Sequence, residues 1–241
     1  MDHFNSIGES ITSFDVTWMP VGKLARRVIS RANSRKTAKY PSFRMGHMLH
    51  CESELELDGD IMFDVNPAVT HIQAQPAVVR VRFSTCGVEE RLTHYPDRLV
   101  HLGGRRLVIE YKYEAEANHP DVKARTAMMK HGFSDLGIKY EVYTERFVRN
   151  LPERVATAKK VLFLGRDPVS EIERERIRHI FLANPAIIMR DVRQGLLGEH
   201  GLPKICNLYL TGHVQIALSC GLGDLTEVRW AAAAARPPPT D

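Results

Sequence analysis

The sequence predicts a mixed α/β protein with a mostly helical C-terminal part, and three observations carry that prediction. Three β-patterned segments joined by short turns lie between residues 77 and 112. A helical stretch and another strand follow, and a strand that returns after a helix joins the same sheet, which makes the core mixed rather than all-β. From about Leu151 the strand pattern stops and helical periodicity replaces it.

Taken in order, Pro41-Ser42 separates a basic arm from the first patterned region. Glu52 to Val65 reads as a helix, with Leu55, Ile61, Met62 and Val65 near one face and Asn66-Pro67 as its stop. Gly59 is its weak point, since glycine inside a helix costs about 1 kcal/mol relative to alanine. Ala77 to Phe83 is β-branched and nearly alternating, Ser84 to Gly87 supplies turn residues, and Glu90 to Tyr95 returns as a second strand. Gly103-Gly104 turns into a third, Arg106 to Lys112, so an antiparallel meander is expected. Asp121 to Leu136 then reads as a helix, Lys139 to Tyr143 as a strand, and Phe147 onward as helix. Ser170 to Ala183 is helical, with Asn184 the expected N-cap and Pro185 the first position of a helix over Ala186 to Gly195. Pro203 to Leu208 is a third helix, and Thr211 to Leu218 an apolar segment. The expected division is a basic arm over 1–45, a mixed α/β domain over 46–150, a helical domain over 151–230 and a disordered tail over 231–241.

No apolar run is long enough to span a bilayer, and the first residues lack the basic-then-apolar layout of a signal peptide, so a cytoplasmic location without membrane partners is expected. Cys51, Cys86, Cys206 and Cys220 include no CxxC pair and read as reduced thiols. No GK[ST] or GxGxxG loop follows a strand, and no serine or cysteine has a recognisable histidine and acid companion, which discards nucleotide-loop and acyl-transfer chemistry. His47, His50 and Cys51 lack a fourth zinc ligand. His94 and His101 flank the Asp97 strand, where they either meet a phosphate or are ordinary exposed hairpin histidines.

The formal net charge of +4 is the sum of unlike segments. Residues 1–50 carry 8 basic and 3 acidic side chains, residues 51–150 carry 13 and 16, and residues 151–230 carry 11 and 9. Lys23, Arg26, Arg27, Arg31, Arg35, Lys36, Lys39 and Arg44 fall in a stretch without any acid. Such an arm is either a polyanion-binding element or a solvated surface run.

The chemistry-bearing segment runs from His94 to Lys112. Alternation along a strand sends Glu110 and Lys112 to one side and Tyr111 to the other. If Asp97 ends the neighbouring strand, its carboxylate lies beside Glu110, and two acids and a lysine converge. Carboxylates of this kind hold Mg²⁺, which activates water and neutralises charge on a phosphate, while a lysine orients the nucleophile or stabilises that charge. The same residues also fit a structural Glu110–Lys112 pair on an exposed sheet face, with Pro96-Asp97 as an ordinary turn.

Pro96-Asp97 followed by Glu110-x-Lys112 resembles the PD-(D/E)xK nuclease signature. More specifically, the chain resembles the TnsA family, the endonuclease subunits of heteromeric bacterial transposases. The residues that carry this are Tyr40-Pro41-Ser42-Phe43-Arg44, Glu52-Ser53-x-Leu55-Glu56, Asn66-Pro67-Ala68-Val69, Gln75-Pro76, Tyr95-Pro96-Asp97-x-Leu99-Val100 and Val108-Ile109-Glu110-Tyr111-Lys112. They cover about residues 40 to 112, and Tyr143-Thr144-Glu145 with the helical region continues the resemblance more loosely. It implies a restriction-endonuclease-like mixed sheet flanked by helices, then a small winged-helix-like domain. It also implies Glu56, Asp97 and Glu110 as ligands of Mg²⁺, for which Mn²⁺ substitutes, and Lys112 as the catalytic lysine. Glu52 stands one turn earlier on the same helix face.

The function implied is cleavage of the 5′ strand at transposon ends, with a DDE transposase (TnsB-like) acting on the 3′ ends and an AAA+ ATPase (TnsC-like) as regulator, acting at the bacterial nucleoid. The basic arm would hold duplex DNA through its phosphates without reading sequence. A stand-alone restriction or repair endonuclease of the same fold, and a non-catalytic DNA-binding adaptor subunit, are the alternatives.

Overall fold

A computed structural model describes residues 11–26, 37–85 and 87–231. They form twelve strands and eight α-helices, a mixed α/β architecture with several sheets, and no helix among them is long and apolar enough to cross a membrane. The chain divides into two compact units, one of residues up to Gly59 with His71–Val148, the other of Asp60–Thr70 with Arg149 onward.

The first unit opens with strand β1 (Ile11–Trp18) and the hairpin β2 (Ala38–Pro41) and β3 (Met48–Cys51). Helix α1 (Glu54–Asp64), through which the division passes, leads to β4 (Val69–Ala74). Then come β5 (Ala77–Thr85), β6 (Val88–His94), β7 (Arg98–Leu102) and β8 (Arg105–Tyr111). Short α2 (Glu114–Ala117) and long α3 (Pro120–Asp135) cross over to β9 (Lys139–Tyr143), and α4 (Glu145–Val148) ends the unit.

The expected three-stranded meander is not formed. β5 and β6 make a hairpin in a sheet of order β1-β5-β6, whereas β8 pairs with β7 in a separate sheet of order β4-β7-β8-β9. Proline explains the switch, because it cannot donate to a ladder. The chain changes sheet at Gln75-Pro76, between β4 and β5, and again at Tyr95-Pro96-Asp97, between β6 and β7. These two corners lie side by side, with the Gln75 N–H donating to the Asp97 carbonyl at 2.9 Å.

β9 runs parallel to β8, in the register Leu107↔Lys139 to Tyr111↔Tyr143, and a parallel pair requires a crossover such as α3. Val79 and Val81 of β5, Leu99 of β7, Val108 of β8, Met129 and Phe133 of α3, and Tyr140 of β9 form one buried cluster. Phe133 stacks on Tyr140 with ring centroids 5.6 Å apart and meets Phe14 edge-on at 5.3 Å; each such pair adds about 0.5–1.5 kcal/mol beyond area burial. Gly132 of α3 admits that Phe14 ring, because a Cβ there would overlap it. Gly59 does the same for Tyr111, whose ring occupies the space a Cβ would take, so the helix weakness read from the sequence is a close-packing site.

The second unit contains α5 (Pro152–Leu164) and α6 (Glu171–Ala183), then β10 (Ala186–Ile188), α7 (Met189–Arg193), α8 (Gly201–Leu210), β11 (Val214–Ile216) and β12 (Glu227–Trp230). Strands are therefore present beyond Leu151, in an antiparallel sheet of order β10-β12-β11. Buried Asn207 of α8 closes the α5–α6 loop, donating to the Gly165 carbonyl at 2.9 Å and accepting from the Val169 N–H at 3.3 Å. Asn184 is the C-cap of α6, not an N-cap, and donates its N–H to the Ile180 carbonyl. The helix expected over Ala186 to Gly195 is a three-residue strand followed by the five-residue α7.

Candidate active site

Strand register brings the sequence-predicted acids together. Arg98 of β7 pairs with Ile109 of β8, so Asp97, one residue earlier, stands across from Glu110. The Asp97 N–H donates to the Ile109 carbonyl at 3.1 Å, and its Oδ2 accepts from the Tyr111 N–H at 2.7 Å. The carboxylate is thereby fixed on the β8 backbone. Glu110 is 6% exposed, and its Oε1 accepts from Lys112 Nζ at 3.0 Å. Lys112 Nζ also lies 3.6 Å from the Glu116 carboxylate on α2.

His94, expected to be exposed, is buried at the end of β6, with Nε2 3.2 Å from Glu110 Oε2 and 3.2 Å from the Tyr140 hydroxyl. The contact with Glu110 does not complete a hydrogen bond, and Oε2 is buried without a hydrogen-bond partner.

Glu56 reaches the same cavity from α1. Ser53 caps that helix: its Oγ accepts from the Glu56 N–H at 3.1 Å and donates to Glu56 Oε1 at 3.3 Å, while Glu56 Oε2 accepts from the Glu52 N–H at 3.0 Å. This is a variant of the capping box in which the N3 glutamate reaches the N–H one residue before the N-cap, and it puts Glu52 ahead of the helix rather than on its face. Glu56 Oε2 also lies 3.3 Å from the guanidinium of Arg98, which is only 1% exposed. Arg98 further donates to the carbonyls of Asp97 (2.6 Å) and His50 (2.9 Å). One buried cation thus ties the helix start, β3 and the Asp97 corner together.

Glu52, Glu56, Asp97, Glu110 and Lys112 line one cavity of about 680 Å³. Burial, with the Glu110 and Glu56 charges, pushes Asp97 well above its ordinary value, and the Tyr111 N–H and Lys112 offset only part of this. Burial alone would raise Glu110, but His94 and Lys112 hold it below the usual glutamate range. Burial opposes the charge on Lys112, yet Glu110, Asp97 and Glu116 outweigh it and raise the ammonium above its ordinary value.

The Asp97 and Glu110 shifts act in opposite directions on the pH dependence of the metal-free fold. A folded state that binds the Asp97 proton more tightly than the unfolded chain loses stability as pH rises from the ordinary aspartate value through the raised one. Glu110 acts oppositely, contributing stability above its unfolded value that is lost as pH falls through the lowered one. Asp97→Asn keeps an oxygen to accept from Tyr111 while removing the repulsion. The expected result in urea unfolding is a gain of roughly 0.5–2 kcal/mol at neutral pH and no gain well below the ordinary aspartate value. A loss at neutral pH would contradict this electrostatic reading.

The donor set suits a hard divalent cation in a particular way. Asp97 and Glu110 supply carboxylate oxygens, and Glu110 Oε2 is a buried acceptor that lacks a donor. Among the described residues no three His, Cys, Asp or Glu side chains group to hold a metal ion, and Glu56 is engaged by Ser53, Glu52 and Arg98. Two carboxylates alone make a partial donor set, of the kind a hard cation such as Mg²⁺ uses only with further oxygen ligands.

Of the basic arm, Arg26 lies at this cavity, paired with the Glu52 carboxylate at 2.9 Å and 5.6 Å over the Tyr95 ring. Lys23 and Lys39 are exposed and Arg44 is half-buried, while Arg27, Arg31, Arg35 and Lys36 lie outside the described residues. Sequence reading missed Arg98, His94 and Gln75 as site residues. Gln75 has φ of 42°, a region uncommon for any residue other than glycine. Its side chain donates to Glu52 and accepts from the Arg26 N–H. Ser53-x-x-Glu56 was the legible signal for the helix start; nothing local marks Arg98 or His94 as buried.

No model of a known protein family matches the chain, and a search of curated proteins also finds no match.

Proposed function

We propose that the chain is a Mg²⁺-dependent DNA endonuclease of the TnsA type, which cuts one strand at each transposon end within a heteromeric transposase. The observation that carries this reading is the convergence of Asp97, Glu110 and Lys112 on one cavity through the β7–β8 register. Glu56 on the same wall supplies the helix acid of the PD-(D/E)xK pattern. The mixed β4-β7-β8-β9 sheet is compatible with a restriction-endonuclease-like core, and the helices with the small β10-β12-β11 sheet are compatible with a winged-helix-like domain.

In this reading Asp97 and Glu110 would hold the cation, and His94, backed by Tyr140, would restrict the rotation of Glu110. Bound Mg²⁺ would lower the pKa of a water and neutralise charge developing at the phosphorus. Lys112, held protonated by its acidic neighbours, acts as a hydrogen-bond donor to the phosphate or the attacking water and not as a general base. Arg98 pairs with the Glu56 carboxylate and positions the Asp97 backbone. Arg26 and the rest of the arm meet the DNA backbone, and a DDE transposase and an AAA+ ATPase supply site choice.

The test is strand cleavage of transposon-end duplex assembled with the partner transposase in millimolar Mg²⁺. A nick in the 5′ strand that chelation abolishes is expected. An assembled complex that leaves the 5′ strand intact would overturn the proposal.

A further inference from the structure

Three arginine or lysine side chains line the catalytic cavity: Arg26, Lys112 and Arg125. Arg26 is paired with Glu52, and Lys112 with Glu110 and Glu116. Arg125, half-buried in the second turn of α3, makes no hydrogen bond or ion pair with any described residue. Its neighbours on α3 differ: Lys123 and Lys130 line a separate hollow that holds none of the candidate catalytic residues.

A guanidinium at the wall of an acid-rich cavity would gain by pairing with one of the carboxylates there. Asp97 and Glu110 instead take the Tyr111 N–H and Lys112, which leaves Arg125, at the cavity lining, without a carboxylate partner among the described residues. Arginine matches an oxyanion bidentately and is weakly hydrated for its charge, so an open fork beside a phosphodiester-cleaving centre suits a phosphate.

We infer that Arg125 is a substrate-binding residue, anchoring a backbone phosphate of the nucleic-acid strand that enters the cavity. This rests on the proposed reading of the cavity as a phosphodiester-cleavage site. The exposed Tyr113 ring, which also lines the cavity, offers an apolar surface to a sugar or base of that strand. α3 thereby gains a role beyond its buried face, presenting one cation to the strand while Met129 and Phe133 pack the core.

The experiment is the affinity of the full chain for a labelled DNA duplex, by fluorescence anisotropy over a salt series, with Ca²⁺ replacing Mg²⁺ to hold back cleavage. Arg125→Ala is expected to weaken binding roughly tenfold at fixed salt and to reduce the slope of log affinity against log salt by about 0.9. Arg125→Lys, which keeps the charge, retains the slope, and two unrelated duplex sequences respond alike because a phosphate contact carries no sequence information. Circular dichroism of both variants checks that the fold is kept. If the parent binds and Arg125→Ala shows the parent's slope, the Arg125 assignment is overturned and the endonuclease reading stands. If the parent binds no duplex at any salt, both are overturned.

Discussion

Replacing Arg98 with methionine is expected to destabilise the protein by roughly 3–5 kcal/mol, the range for removing one partner of a buried ion pair. The guanidinium is almost fully enclosed and donates to two carbonyls besides its contact with Glu56. Methionine fills much of the volume but satisfies none of these acceptors, so a carboxylate and two carbonyls are left buried with fewer donors. Against a total stability of about 5–15 kcal/mol, the loss is large enough to lower the urea midpoint markedly. Glu56→Gln alone should cost less, because glutamine still serves at the third position of the capping box. The Arg98→Met, Glu56→Gln pair should lose less than the two single changes added together, since neutralising Glu56 removes the charge that Arg98 compensates. A double-mutant cycle measures that coupling. A single-variant loss under about 1 kcal/mol would mean that Arg98 does not hold the site together.

This dependence on Arg98 also explains what the sequence could and could not disclose. Elements whose signals are local were legible. Pro120 at the start of α3, the alternation of Lys139 to Tyr143 and the Ser170 cap of α6 mark boundaries that need no distant partner. β7 begins with an arginine, and a charged residue at a core position breaks the alternation that identifies a strand. β10 is only three residues long and exists because Glu227–Trp230 pairs with it some forty residues later. Its Ala-Ile-Ile run carries no local sign of that partner. The two sheet-switching corners were present as Gln75-Pro76 and Tyr95-Pro96-Asp97, but proline marks a break without saying that the chain changes sheet.

Within the site, Asp97, Glu110 and Lys112 were legible because a two-residue period and a turn suffice to put them on one side. His94 and Arg98 were not, since their roles depend on β8, Tyr140 and α1 packing over them. The segmental charge was informative in part. The acid excess over 51–150 includes the carboxylates that crowd the cavity, and burial, with the Glu110 and Glu56 charges added, raises Asp97. The basic arm contributes Arg26 to the cavity rim.

That crowding makes the second large effect informative. Asp97→Asn, expected to stabilise the metal-free fold, removes one of the two carboxylates proposed to hold the cation, and Lys112→Ala removes the donor beside Glu110. Each is expected to lower 5′-strand cleavage by at least about 100-fold, the scale for losing one group that stabilises the transition state electrostatically. A more stable protein that no longer cuts would show that the carboxylate cluster is kept for chemistry at the expense of stability, and would separate catalysis from a purely structural Glu110–Lys112 pair.

The most direct measurement is therefore the single-turnover rate of 5′-strand nicking on transposon-end DNA, assembled with the partner transposase in Mg²⁺, for the parent, Asp97→Asn and Lys112→Ala. The predicted result is a Mg²⁺-dependent nick by the parent and its loss in both variants, with their circular dichroism unchanged. Cleavage by both variants at the parent's rate would contradict the account.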